Sequence, residues 1–148
     1  MAREQTEGWA GHAQRVLAES KRHTGAARRV LLDLLDSQSC ALSAVEIEDA
    51  LRERKRPIGR ASIYRILDEL ERLRLVQKVQ VGQAMARYEP IRGHHEHHHH
   101  LVCDSCGVVL PFSDPGLEHA IEALSARVPI DVTEHEIVLH GACHDCAN

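Results

Sequence analysis

The residues from His94 to Gly107 read His-His-Glu-His-His-His-His-Leu-Val-Cys-Asp-Ser-Cys-Gly. They hold six of the chain's twelve histidines and two of its five cysteines. A second pair closes the chain as Cys143-His144-Asp145-Cys146. Two residues between cysteines let both sulfurs converge on one ion, and two such pairs complete a tetrahedral zinc shell. A closed shell leaves no position for substrate. Cys103, Cys106, Cys143 and Cys146 are therefore predicted to hold a structural Zn2+ that ties the C-terminus to the central knuckle. A disulfide or a set of free thiols is the alternative. Cys40 stands outside the pairs and reads as a small buried residue.

The histidines divide by strand geometry. Successive side chains alternate faces, so His97 and His99 point one way while His98 and His100 point the other. One strand can thus feed two metal sites. Glu118 on a helix, His135 on a later strand and Glu89 at the end of an earlier one are the donors that would complete them. Mixed imidazole and carboxylate sets suit Zn(II), Fe(II), Ni(II) or Mn(II), and donor softness alone does not choose among them. A solvent-exposed histidine tract that binds metal loosely is the plainer reading. His94, His95, His119, His140 and His144 read as surface residues, and His12 and His23 belong with the helical half.

These residues need elements to position them. The 148 residues are 43% hydrophobic but only 3% aromatic, so any core must come from Leu, Ile, Val and Ala, which favours helices. No run approaches the roughly 18 apolar residues of a membrane span, and Met1 to Gln5 lacks an apolar signal core. A cytoplasmic location is expected, where paired cysteines are more often metal ligands than disulfides. The net charge of −4 is unevenly spread. Met1 to Gln80 carries 15 Lys/Arg against 12 Asp/Glu, and Val81 to Asn148 carries 3 against 10. That division suggests a basic binding module joined to an acidic, metal-binding one.

In the first half, Trp9, Ala13, Val16 and Leu17 have helical spacing over Trp9 to Ser20. Thr24 is placed to cap a second helix that buries Val30, Leu31, Leu34 and Leu35. Ser43 with Glu46 forms a capping-box signature opening a third helix, which Pro57 forbids from continuing. A fourth helix is predicted from about Arg60 to Arg74, with Ile63, Ile66, Leu67, Leu70 and Leu73 as its apolar stripe. Val76 to Val81 and Met85 to Glu89 read as strands of a hairpin about Gly82-Gln83-Ala84. These are the parts of a winged helix-turn-helix. Its second helix fits a major groove, and Arg60, Ala61, Ser62, Tyr64 and Arg65 lie where base edges would be approached. A charged face that is merely solvated is the rival reading.

In the second half, 92–96 looks like a join. His97 to Val102 is predicted as a strand leading into the Cys103 knuckle, and Val108 to Phe112 as its return. Asp114-Pro115 is a helix start, with Leu117, Ala120, Ile121, Leu124 and Val128 as the apolar face. Ile130 to Leu139 alternates as a long strand that delivers the chain to Cys143. The fold class expected is α+β: an N-terminal winged helix-turn-helix domain (1–89), a hinge (90–96) and a small α/β dimerisation domain (97–148).

Read together, these features resemble the ferric uptake regulator family of metal-dependent repressors, over about Arg22 to Cys146. The resemblance is carried by Ser62-Ile63-Tyr64-Arg65-Ile66-Leu67, by His97 to Gly107, by Phe112-Ser113-Asp114 and by Gly141-Ala142-Cys143-His144-Asp145-Cys146. It implies a homodimer formed through the C-terminal domain, with metal at the hinge setting the disposition of the two DNA-binding domains. By position, Cys103, Cys106, Cys143 and Cys146 match the structural zinc ligands. His97, His99, Glu118 and His135 match a second dimerisation-domain site. His98, His100 and Glu89 match a regulatory hinge site for Zn2+ or Fe2+. Tyr64 and Arg65 match recognition-helix residues, and Arg22 a basic residue near the minor groove.

There are departures. Cys40-Ala41 stands where many members carry a histidine, which leaves the hinge site short of that ligand or dependent on Cys40. Gly93 occupies the place of a cysteine common in zinc sensors, and Gln77 that of an aspartate some of them use. Gly25-Ala26-Ala27 replaces the usual Pro-Gln-Arg. The expected function is a metal-dependent repressor of metal uptake, zinc-responsive, that binds operator DNA and takes no small-molecule substrate. An iron-, nickel- or manganese-responsive regulator of the same family is the alternative. Rivals of other classes are a zinc-buffering protein and a metallohydrolase with Glu96 or Glu118 as base, although no His-Glu-x-x-His helix supports the latter.

Overall fold

A computed structural model describes residues 7–22, 25–80, 85–92 and 98–147. The chain divides into two compact units, Met1–His95 and Glu96–Asn148. Among the described residues no helix is long and apolar enough to cross a membrane.

The first unit carries α1 (Trp9–Glu19), α2 (Ala26–Asp36), β1 (Leu42–Ser43), α3 (Ala44–Glu53), α4 (Arg60–Arg72), β2 (Val76–Val79) and β3 (Arg87–Pro90). Apolar residues three and four apart put one stripe of each helix into a common core. Leu17, Leu31, Leu34, Ile47, Leu51, Ile63, Leu67 and Leu70 lie fully inside it. The chain's one tryptophan joins them, its indole N–H donating to the Leu75 carbonyl at 2.9 Å. The capping box predicted for α3 is present: Ser43 Oγ accepts from the Glu46 N–H, and a Glu46 oxygen accepts from the Ser43 N–H at 2.8 Å. Burial pushes the Glu46 carboxyl up, but the Ser43 N–H and the Arg87 guanidinium outweigh it and hold the group below its ordinary range.

Three details of this unit differ from expectation. α2 starts at Ala26 with Gly25 at the N-cap and no side-chain cap bond, while Thr24 lies outside the described residues. α4 ends at Arg72 because Arg74 adopts φ +54° and the Leu75 N–H returns to the Leu70 carbonyl. Third, β1 joins the hairpin, so the sheet has the order β1-β3-β2. Two residues are too short a run to show alternation. The predicted turn residues, Gly82 to Ala84, fall outside the described residues.

Lys21 and Lys55 have the same left-handed backbone as Arg74, and the Arg22 and Arg56 N–H groups reach back to Leu17 and Leu51. Each is a helix C-terminus closed by a 6→1 bond, a place where glycine is usual. Here a cation occupies it instead.

The second unit comprises β4 (His99–Cys103), β5 (Val109–Phe112), α5 (Pro115–Ser125) and β6 (Val138–Gly141). The sheet order is β5-β4-β6, with β4 antiparallel to β5 and parallel to β6. Gly107, at φ +77°, turns the chain between β4 and β5. Asp114 caps α5 by accepting from the Leu117 N–H at 2.8 Å, with Pro115 in the first turn. The long strand expected from Ile130 is only β6. Just before β6 the Ile137 carbonyl accepts from the His100 N–H at 3.0 Å, but residues 131–136 lie in no strand among the described residues, and extended chain without a partner makes no ladder. The helix likewise stops at Ser125, short of Val128. No residue of α5 is buried, and Leu110, Leu124, Ile130 and Leu139 are at least half exposed.

Candidate metal centres and nucleic-acid interface

Cys103 ends β4, and Cys106 follows in the turn that Gly107 closes. Cys143 and Cys146 lie just past β6, whose parallel register sets Gly141 opposite Cys103. The four sulfurs all lie within 4.8 Å of one another and form no disulfide. Cys106 Sγ and Cys143 Sγ are 3.8 Å apart. A tetrahedron with Zn–S bonds of about 2.3 Å has edges of about 3.8 Å, so the spacing fits zinc. The thiols are also electrostatically unequal. The Cys143 and Cys106 backbone N–H groups hold Cys103 down to about 6. Cys146 is pushed up to about 12, first by the Cys143 thiol and then by Cys106. For Cys106 the Val108 N–H pulls down, but Cys103, burial and Cys143 together push it up. One thiolate forms readily at Cys103 while Cys106 and Cys146 resist, which is the behaviour of crowded like charges that a divalent cation would relieve.

The second cluster is His99, Glu118 and His135. β4 turns His99 inward, where it is fully buried, and the first turn of α5 presents Glu118. Glu118 takes one histidine on each oxygen: His99 Nε2 at 2.5 Å and His135 Nε2 at 2.9 Å. The two imidazoles lie 5.2 Å apart by centroid, and Phe112 covers His99 at 5.5 Å. Two nitrogens converging on one carboxylate form a donor set of the kind that holds Zn2+ or Fe2+. His97, expected in this set, lies outside the described residues.

The other face of the strand behaves as alternation requires. His98 and His100 turn their rings to each other, with centroids 5.1 Å apart, and His100 is fully buried. In the first unit Glu89 is buried on β3 and accepts from Gln77 at 2.5 Å, and Cys40 is half-buried in the stretch before β1.

On α4, Arg60, Ala61, Tyr64 and Arg65 are exposed near the N-terminus and Ser62 is half-buried. Arg65 donates to Ser62 Oγ at 2.9 Å, and Arg60 pairs with Glu48 at 2.7 Å. Arg22 pairs with Glu69 of α4 at 2.8 Å. Glu69 was not among the residues expected to act here. Its signal was an acidic residue three positions after Ile66, on the margin of an apolar stripe where burial requires a partner.

The sequence profile of the ferric uptake regulator family matches residues 19–140. The "Ferric uptake regulation protein" of Bacillus subtilis (strain 168) is 33% identical over 114 residues, covering 76% of each chain. That of Legionella pneumophila is 34% identical over 118 residues, covering 80% of this chain and 85% of its own. Among solved structures, the Vibrio cholerae ferric uptake regulator superposes with a TM-score of 0.76 at 28% identity, over 88% of this chain and 98% of that one. Members of the family are metal-responsive regulators that bind DNA and are not enzymes, which removes the hydrolase rival. A winged helix, a four-thiol cluster and a histidine–carboxylate cluster on one chain, together with these matches, show that the chain belongs to the ferric uptake regulator family.

Proposed function

We propose that this regulator is a zinc-responsive repressor, dimeric through its second unit, that binds operator DNA when its regulatory donors are filled. The observation that carries the metal-responsive part is the His99–Glu118–His135 cluster, which gathers two imidazoles on one carboxylate, with His99 among the few buried side chains in the described residues of this unit. Dimerisation is supported by the apolar side chains the second unit leaves uncovered, Leu110, Leu124, Ile130 and Leu139 among them.

For the regulatory site we assign Glu89, His98 and His100, with Cys40 in place of the missing histidine. A set of one thiolate, one carboxylate and two imidazoles favours Zn2+ over harder ions, because thiolate is a soft ligand. The ion supplies charge neutralisation and a preference for one arrangement of its donors. Glu89 and Cys40 belong to the DNA-binding unit and His98 and His100 to the dimerisation unit. Filling the set therefore shifts the population of domain arrangements toward one that spans both half-sites of an operator. Iron is the second reading, favoured by the curated relatives being named ferric uptake regulation proteins.

The test is a gel shift over the pooled fragments of the source genome, with the metal-stripped protein reloaded with Zn2+ or Fe2+ in turn. A shift with zinc and none with iron at equal free concentration supports the zinc reading, and the reverse supports iron. No metal-dependent shift on any fragment would falsify the repressor reading.

A further inference from the structure

Glu69 is the one acidic residue on α4 whose side chain is buried, at 5% exposure, and it is held by two arginines. Arg28, in α2, donates through Nε at 3.0 Å and through Nη2 at 2.6 Å to one oxygen. Arg22, from the turn after α1, pairs with the other at 2.8 Å. The Arg22 backbone is fixed as well, because its N–H closes the end of α1 on Leu17. Its side chain nonetheless remains 52% exposed. Glu69 is too deep to meet DNA, and Arg22 is not.

Seven residues of helix separate Ser62 from Glu69, about 10 Å along the axis and nearly the same face. A major groove is about 12 Å wide, so a cation that far along α4 from Ser62 stands near the groove's edge, where phosphates run. We propose that Glu69 is a positioning residue for DNA binding: its carboxylate holds the Arg22 guanidinium at the phosphate backbone and ties that contact to the recognition helix. The proposal rests on the DNA-binding reading. It gives Glu69 a sign opposite to simple electrostatics, under which removing an anion from a DNA-binding face strengthens binding.

The test uses the full chain, loaded with Zn2+, on a labelled random-sequence duplex, because phosphate contacts are independent of sequence. Affinity is measured across a salt series for the wild type, Glu69→Gln, Arg22→Ala and the double variant, with thermal unfolding as the check on folding. Glu69→Gln is expected to weaken binding about tenfold and to make the slope of log K against log salt shallower by about 0.9, one phosphate contact. Arg22→Ala, at an exposed position, should lose the same slope, and the double variant should lose no more than either single one. Tighter or unchanged binding by Glu69→Gln overturns the proposal. So does an unchanged slope in Arg22→Ala, which decides the matter even where Glu69→Gln fails to fold. Wild-type protein that binds no duplex at any salt would overturn the regulator reading, and this inference with it.

Discussion

Replacing Cys103 by serine should unfold the second unit and leave the first intact. Cys103 is the most enclosed of the four sulfurs, accepts the Cys143 N–H at 3.3 Å, and sits where β4 meets the register of β6. A structural zinc contributes about 10–16 kcal/mol at neutral pH, against a net stability of about 5–15 kcal/mol for a whole domain. Among the described residues of this unit only His99, His100, Val102 and Cys103 are buried, so little apolar packing is available to compensate. The first unit, by contrast, has its own continuous core from Trp9 to Tyr88. Its indole, held on the Leu75 carbonyl, is the chain's one tryptophan and reports on that unit alone. Zinc content, far-UV circular dichroism and tryptophan emission should be measured together. We expect Cys103→Ser to lose about one zinc per chain and the ellipticity of α5 and its sheet, with emission from Trp9 unchanged. A variant that keeps its full zinc and its ellipticity refutes the zinc assignment. One in which the emission shifts together with the ellipticity refutes the independence of the two cores.

Two further outcomes follow from the same geometry. Zinc binding must displace protons from thiols, so affinity should fall as the pH is lowered. Since Cys103 is held down to about 6 and Cys146 up to about 12, the fall should steepen below about pH 6, once Cys103 too is protonated; a competitive chelator titration from pH 5 to 8 reads the slope, and a constant slope would contradict the assigned thiolate. Lys55→Gly relieves a left-handed backbone at φ +57°, worth roughly 1–2 kcal/mol, against about 0.5–1 kcal/mol of added chain entropy. It should therefore raise the melting temperature by a few degrees. A lower melting temperature would show that Lys55 makes a contact worth more than its strain.

Much of this protein was legible from residue order. Cys-x-x-Cys spacing is a local property, so each pair of converging sulfurs was legible, although the parallel register of β4 and β6 is what brings the two pairs together; the two faces of the histidine strand were legible too, since alternation is built into extended backbone. The capping box of α3, the Asp114 cap of α5 and the stripe of α4 are equally local. What sequence could not decide depends on partners distant along the chain. Ile130 to Leu139 carries scattered apolar residues that suit extended chain, but whether it becomes a strand depends on a neighbour, and only Val138–Gly141 forms a strand, beside β4. β1 exists only because β3 passes beside Leu42. Glu69 reads as one more helical charge until folding brings Arg22 and Arg28 to it across 47 and 41 residues of sequence. Local periodicity is written in the order of the residues. Pairing and burial arise only when remote segments share space, and there the tertiary structure alone decided.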